Sequence, residues 1–153
     1  MESEVKLIPE QKLAVINCKT PISDLGIFLS MLMGWVDAEG IETDGDPFIV
    51  YFSPRHEVND GDAVFDVSIP IKKDANETDR VRVVDMIENK VLSGIHYGPA
   101  DDIMSTYEKL VEIAQENHYD IIGSPKEVLI KNAHNCENEK DYVTEIQLPI
   151  IEM

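Results

Sequence analysis

The chain is written twice. Sliding the 153-residue sequence by 78 positions lays "KVLSGIHYGPADDI" (90–103) on "KLAVINCKTPISDL" (12–25). Lys12 meets Lys90, Pro21 meets Pro99 and Asp24 meets Asp102. The register continues with Leu32 on Leu110, Gly45 on Gly123, Pro47 on Pro125 and Val50 on Val128. One extra residue moves the offset to 79, and "VFDVSIPI" (64–71) then lies on "VTEIQLPI" (143–150). Identity is low, but the agreements fall at turns, caps and apolar positions, where a shared fold restricts residue choice. A chain built this way is expected to fold as two copies of one supersecondary unit.

Each copy reads as strand, helix, strand, strand. A strand over about 5–18 or 81–97 leads to a helix over about 22–40 or 100–118. A turn at Gly45-Asp46-Pro47 or Gly123-Ser124-Pro125 opens a second strand, and the third ends in Ile-Pro-Ile or Leu-Pro-Ile. Pro21 and Pro99 stand at the helix starts, where a missing N–H costs nothing. Thr20 is placed to cap the first helix, and Asp101 and Asp102 suit the positive end of the second. The polar segment "KKDANETD" (72–79) links the copies. The fold class is therefore α+β: duplicated β-α-β-β modules, a mostly antiparallel sheet and two helices. The chain is expected to form one domain, 1–153, of two repeats spanning 5–71 and 81–151.

Leu25, Leu29, Leu32 and Val36 superpose on Ile103, Tyr107, Leu110 and Ala114 at helical spacing. These stripes should pack on Phe65, Val67, Ile69 and Ile71 and on Thr144, Ile146, Leu148 and Ile150. Period-two alternation then turns Asp66 and its counterpart Glu145 to the opposite face of the sheet. By the same alternation Ile49, Tyr51, Leu129, Val64 and Val143 are assigned to that acid-bearing face. So much apolar surface fits a ligand groove floored by acids. It also fits an ordinary wet sheet face with scattered apolar residues. The first helix is uncharged from Gly26 to Val36, so Met31, Met33 and Trp35 line either a ligand site or a dimer interface.

Composition removes several classes. A net charge of -17 repels phosphate backbones and argues against a nucleic-acid partner. No apolar run reaches the roughly 20 residues that a bilayer demands, so no membrane role is expected. The opening "MESEVKLIPE" lacks the basic and apolar regions of an export signal, which points to the cytoplasm. Cys18 and Cys136 imply no disulfide framework. His96 falls on the core side of its strand and reads as structural. His134-Asn135-Cys136 lacks the four ligands of a zinc site, so no metal is expected. No phosphate loop, dinucleotide fingerprint or nucleophile elbow appears, and no cofactor is expected.

"GIHYGPADDI" (94–103), "GSPKEVLI" (123–130) and "DYVTEIQLPI" (141–150), together with the duplication, resemble the GyrI-like small-molecule-binding domain. The same fold forms the effector-binding domain of AraC-type and MerR-type multidrug regulators. The resemblance implies two β-α-β-β modules forming a concave sheet, with a ligand groove at their junction. It further implies that an acid at the position of Glu145 meets lipophilic cations among aromatic side chains. Leu129 and Ala100 stand where the family commonly has tyrosine, so the aromatic cage is expected to be one-sided. With residue 5 already in the first strand, no helix-turn-helix is expected ahead of the domain, which reads as a stand-alone form.

Three functions follow as expectations. The first is binding of amphipathic, cationic organic molecules by Glu145 and Asp66, with Tyr51, Trp35, Ile49, Leu129, Val143 and Met31 around them. The second is a protein-interaction role like that of gyrase-inhibitor members, with a topoisomerase or a regulator as partner. The third, implied by stand-alone members of the family, is hydrolysis of strained electrophiles. There Glu145, its pKa raised by an apolar groove, would be the acid/base. A homodimer through the first helix is also open.

Overall fold

The computed structural model describes residues 2–54, 61–133 and 135–152. The strands among them are β1 (Ser3–Ile8), β2 (Gln11–Pro21), β3 (Phe48–Tyr51), β4 (Asp62–Ile71), β5 (Arg82–Met86), β6 (Asn89–Tyr97), β7 (Tyr119–Ile121), β8 (Lys126–Lys131) and β9 (Val143–Glu152). The helices are α1 (Leu25–Glu39) and α2 (Ile103–Glu116). The chain divides into two compact units: residues 10–87, and residues 1–9 with 88–153.

The units cross the repeat boundaries. Each long first strand of the sequence reading is broken, into β1 and β2 and into β5 and β6. In the 10–87 unit the strand order is β3-β4-β2-β5, and in the other it is β1-β6-β9-β8, with every pairing antiparallel. Thus β1, which begins the first repeat, completes the sheet of the second, and β5 does the reverse. Pro9 explains the first break, because proline has no N–H to continue the ladder. No proline marks the break at Ile87-Glu88.

The duplication extends to hydrogen bonds. Asp44 N donates to Pro70 O at 2.8 Å, and at the same offset Ile122 N donates to Pro149 O at 2.9 Å. Both glycines lie against the strand-end prolines: Gly45, with a φ of 153° that side chains rarely adopt, would place an added Cβ 3.3 Å from Pro70 Cγ, and Gly123 would place one in contact with Pro149 Cγ at 3.4 Å. The Gly-x-Pro turn and the Ile-Pro-Ile strand end are therefore one packed device. The three-residue β7 pairs Ile121 with Ile150, echoing the isolated bridge of Thr43 to Ile71.

The helix starts differ from expectation. Pro21 closes β2 and precedes a 3-10 turn, Ile22–Asp24, while Pro99 precedes the 3-10 turn Ala100–Asp102. Thr20 caps no backbone N–H; its hydroxyl donates to Asp24 Oδ2 at 2.6 Å. Helix α1 ends at Gly40, whose φ of 62° suits glycine, and Ile41 N closes on Val36 O at 3.0 Å. Leu29, Leu32 and Val36 are buried where α1 packs on β2 and β4. In the other unit Ile103, Tyr107, Leu110 and Ala114 pack with Leu92, Ile146, Leu148 and Ile150. Leu110 sits so close to β6 that a Cβ on Gly94 would lie 2.7 Å from its Cδ2.

His96 is buried beneath this helix start. Its Nδ1 is 2.8 Å from Thr106 Oγ1 and its Nε2 is 2.9 Å from Pro99 O. Both ring nitrogens are thus engaged in holding strand to helix, the structural role expected. The buried Cys18 thiol is pushed up to about 11 by burial, so it stays protonated at neutral pH. No helix among the described residues is long and apolar enough to cross a membrane.

Candidate functional site

Directly paired residues in an antiparallel sheet share a face. Asp66 pairs with Asn17 on β2 and Val50 on β3, so these three project together. Ile49 pairs with Val67, and Tyr51 with Phe65, which puts both on the opposite face. This corrects the alternation read from sequence. Tyr51 is buried, its ring centroid 6.4 Å from that of Phe65. The same correction applies in the other unit: Leu129 pairs with Thr144, whereas Val128 pairs with Glu145. Phe48, Val50 and Val128 therefore hold the positions given to Ile49, Tyr51 and Leu129, and Lys126 joins them on the acid-bearing face. Val143 keeps the parity of Glu145 and is half-buried.

In the 10–87 unit the acid-bearing face forms a cavity of about 220 Å³. Leu13, Val15, Phe48, Val50, Val84 and Met86 supply its apolar lining, and Asp66, Asn17, Ser68, Arg82 and Asp85 its polar part. Asn17 Nδ2 donates to Asp66 Oδ1 at 2.6 Å. Burial pushes the Asp66 carboxyl above its ordinary value, and neither the Asn17 hydrogen bond nor the exposed Arg82 reverses this. The ionised form is thus under-compensated, the condition in which a carboxylate gains most from an added cation. Met31 and Trp35 lie on α1, outside this lining. Met31 is exposed, and the half-buried Trp35 has its Nε1 buried with no hydrogen-bond partner among the described residues.

Glu145 lies in the opposite state. Its Oε2 accepts from Lys6 Nζ at 2.9 Å and from Ser93 Oγ at 2.6 Å. Burial alone would raise the carboxyl, but Ser93, Lys6 and Gln147 together hold it below its ordinary value. The raised pKa wanted for an acid/base at Glu145 is therefore not met. Lys126, on the same face, is buried, and burial pushes its ammonium down to about 8 against the pull of Glu145. Sequence reasoning did not place Lys6 or Lys126 here. Lys6 is 139 residues from Glu145, and only the transfer of β1 to the other unit brings them together. Among the described residues no cluster of His, Cys, Asp and Glu could hold a metal; His134 lies outside them.

A duplicated α+β unit presenting carboxylates on the sheet face away from its helices defines a class of ligand-binding domain. The chain belongs to the GyrI-like small molecule binding domain family, which matches residues 1–151. Solved structures share the fold. The EcmrR C-terminal domain superposes with a TM-score of 0.87 at 19% identity, covering 99% of this chain and 98% of that one. Against the EcmrR chain of an EcmrR–DNA complex, this chain spans 58% of the length. A hydrolase from Listeria innocua gives 0.71 at 13% identity over 98% and 92% of the two chains. SAV2435 bound to tetraphenylphosphonium gives 0.63 at 11% over 99% and 94%. The curated proteins give no match.

Proposed function

We propose that this small-molecule-binding domain takes amphipathic organic cations, and that Asp66 holds the charge. The observation that carries this is a single arrangement. A half-buried carboxylate, made costly by burial, stands in a cavity walled by Leu13, Val15, Phe48, Val50, Val84 and Met86. The apolar walls suit the body of the ligand and the acid its cationic centre, while Phe48 offers an aromatic face. SAV2435, of the same fold, binds tetraphenylphosphonium, a lipophilic cation, which agrees with this reading. Glu145 is the lesser candidate because Lys6 already neutralises it.

The test is a thermal-shift panel of lipophilic cations on wild type, Asp66→Asn and Glu145→Gln. A ligand at a hundred times its Kd stabilises by about 2.7 kcal/mol, a readily measured shift. Wild type and Glu145→Gln should respond and Asp66→Asn should not. Equal responses from wild type and Asp66→Asn would remove the proposal.

A further inference from the structure

We propose that Arg82 makes the Asp66 cavity a site for zwitterions: organic cations that carry a carboxylate or sulfonate on a short tether. The inference rests on the organic-cation reading of Asp66 and adds an anion-holding residue that narrows the ligand class. The charged side chains in the cavity lining are Asp66, Arg82 and Asp85. Asp85 is already neutralised, because Lys12 Nζ lies 2.9 Å from its Oδ1. Asp66 and Arg82 are left, opposite in sign, and they form no ion pair with each other.

The strand register sets both charges on one face. Arg82 pairs with Val15 on β2, Val15 with Ser68 on β4, and Ser68 with Phe48 on β3. The next row on that face, two residues along β2, is Asn17, Asp66 and Val50. Two strand spacings of about 4.8 Å and two residues of about 3.4 Å put the Cα atoms of Arg82 and Asp66 about 12 Å apart. The long arginine stem narrows that gap, since the guanidinium already acts against the burial that raises the Asp66 carboxyl. Strand β2 runs between them and floors the gap with Val15.

Arg82 is exposed on β5, the strand that ends this unit's order, and forms no ion pair with a described residue. Glu77, beside the same strand, accepts instead from Val83 N at 3.1 Å. A plain cation against Asp66 therefore stands in the repulsion of an unneutralised guanidinium. A zwitterion sets each of its charges against the opposite one, with its tether on Val15. The planar guanidinium fork suits bidentate contact with an oxyanion. Exposure keeps that contact modest, so the expected effect is a several-fold preference.

Calorimetric titration with matched probes tests this: benzyldimethylammonio-propanesulfonate and benzyldimethylpropylammonium chloride, which differ only by the sulfonate. Salt of about 0.15 M screens the field of distant charges, which otherwise favours the plain cation on a chain of net charge -17. Wild type should bind the zwitterion roughly fivefold more tightly, the upper range for an exposed ion pair. Arg82→Gln should reverse the order, losing affinity for the zwitterion and gaining it for the plain cation. Arg82→Lys should keep the wild-type order with a smaller gap, and Asp66→Asn should lose both ligands. A plain cation bound through Asp66 as tightly as the zwitterion, or a preference that survives in Arg82→Gln, would overturn this proposal and leave the organic-cation reading standing. Neither probe binding wild type, or both binding Asp66→Asn as tightly as wild type, would remove that reading and this proposal with it.

Discussion

Asp66 and Glu145 occupy one position of a repeated unit, yet their surroundings drive them apart. The carboxyl of Glu145 is held low by Ser93 and Lys6 against burial, so its ionised form stabilises the fold. That contribution is whole above the ordinary glutamate value and disappears as pH falls through the lower, folded one. Glu145→Gln should therefore cost about 1–2 kcal/mol at neutral pH and flatten the acid limb of a urea-unfolding series. Asp66 is raised, so its charge is a cost at neutral pH that is relieved on acidification. Asp66→Asn should leave neutral-pH stability unchanged or higher while abolishing ligand response. Lys126, pushed down to about 8, has the mirror behaviour. The folded protein sheds that proton first, so stability gains a rising component between about 8 and the ordinary lysine value of about 10.4. Denaturation midpoints of Lys126→Met should lack it. Both acids were legible in the sequence because alternation in β4 and β9 is clean. Their partners were not, since Lys6 meets Glu145 only through pairing across 139 residues.

Among the elements, the long amphipathic ones were readable and the short apolar ones were not. The α2 stripe Ile103, Tyr107, Leu110 and Ala114 is buried as its spacing requires. Strand β3 is "FIVY", apolar at every position, so alternation cannot say which pair faces the helix. Only its register with β4 decides, and it reverses the reading of Ile49 and Tyr51. Strand β7, three residues long, is below what a period can reveal. Packing makes the elements separately testable. Gly94→Ala pushes a methyl toward Leu110 on the helix side of β6 and should destabilise by about 1–3 kcal/mol in urea unfolding. Gly34→Ala on the exposed side of α1 meets nothing within 4 Å and should stabilise by about 0.5–1 kcal/mol. If Gly94→Ala proves neutral, the close approach of α2 to β6 is wrong.

At the scale of the molecule, the duplication was legible because turn glycines and strand prolines repeat at fixed offsets. The transfer of β1 and β5 between units was not, because the sequence carries a breaker at Pro9 and none at Ile87. Removing residues 1–9 should therefore speed amide exchange in β6, the partner of β1, and leave β2 and β4 protected. Faster exchange confined to β2 and β4 would contradict the assignment of β1. A crystal structure with an organic cation bound would show whether it is held against Asp66 in the 10–87 unit. The cationic centre should lie within about 5 Å of the Asp66 carboxylate, with the apolar body against Leu13, Val15 and Val84. A cation bound elsewhere, with that cavity empty and Asp66→Asn binding as tightly as wild type, would contradict it.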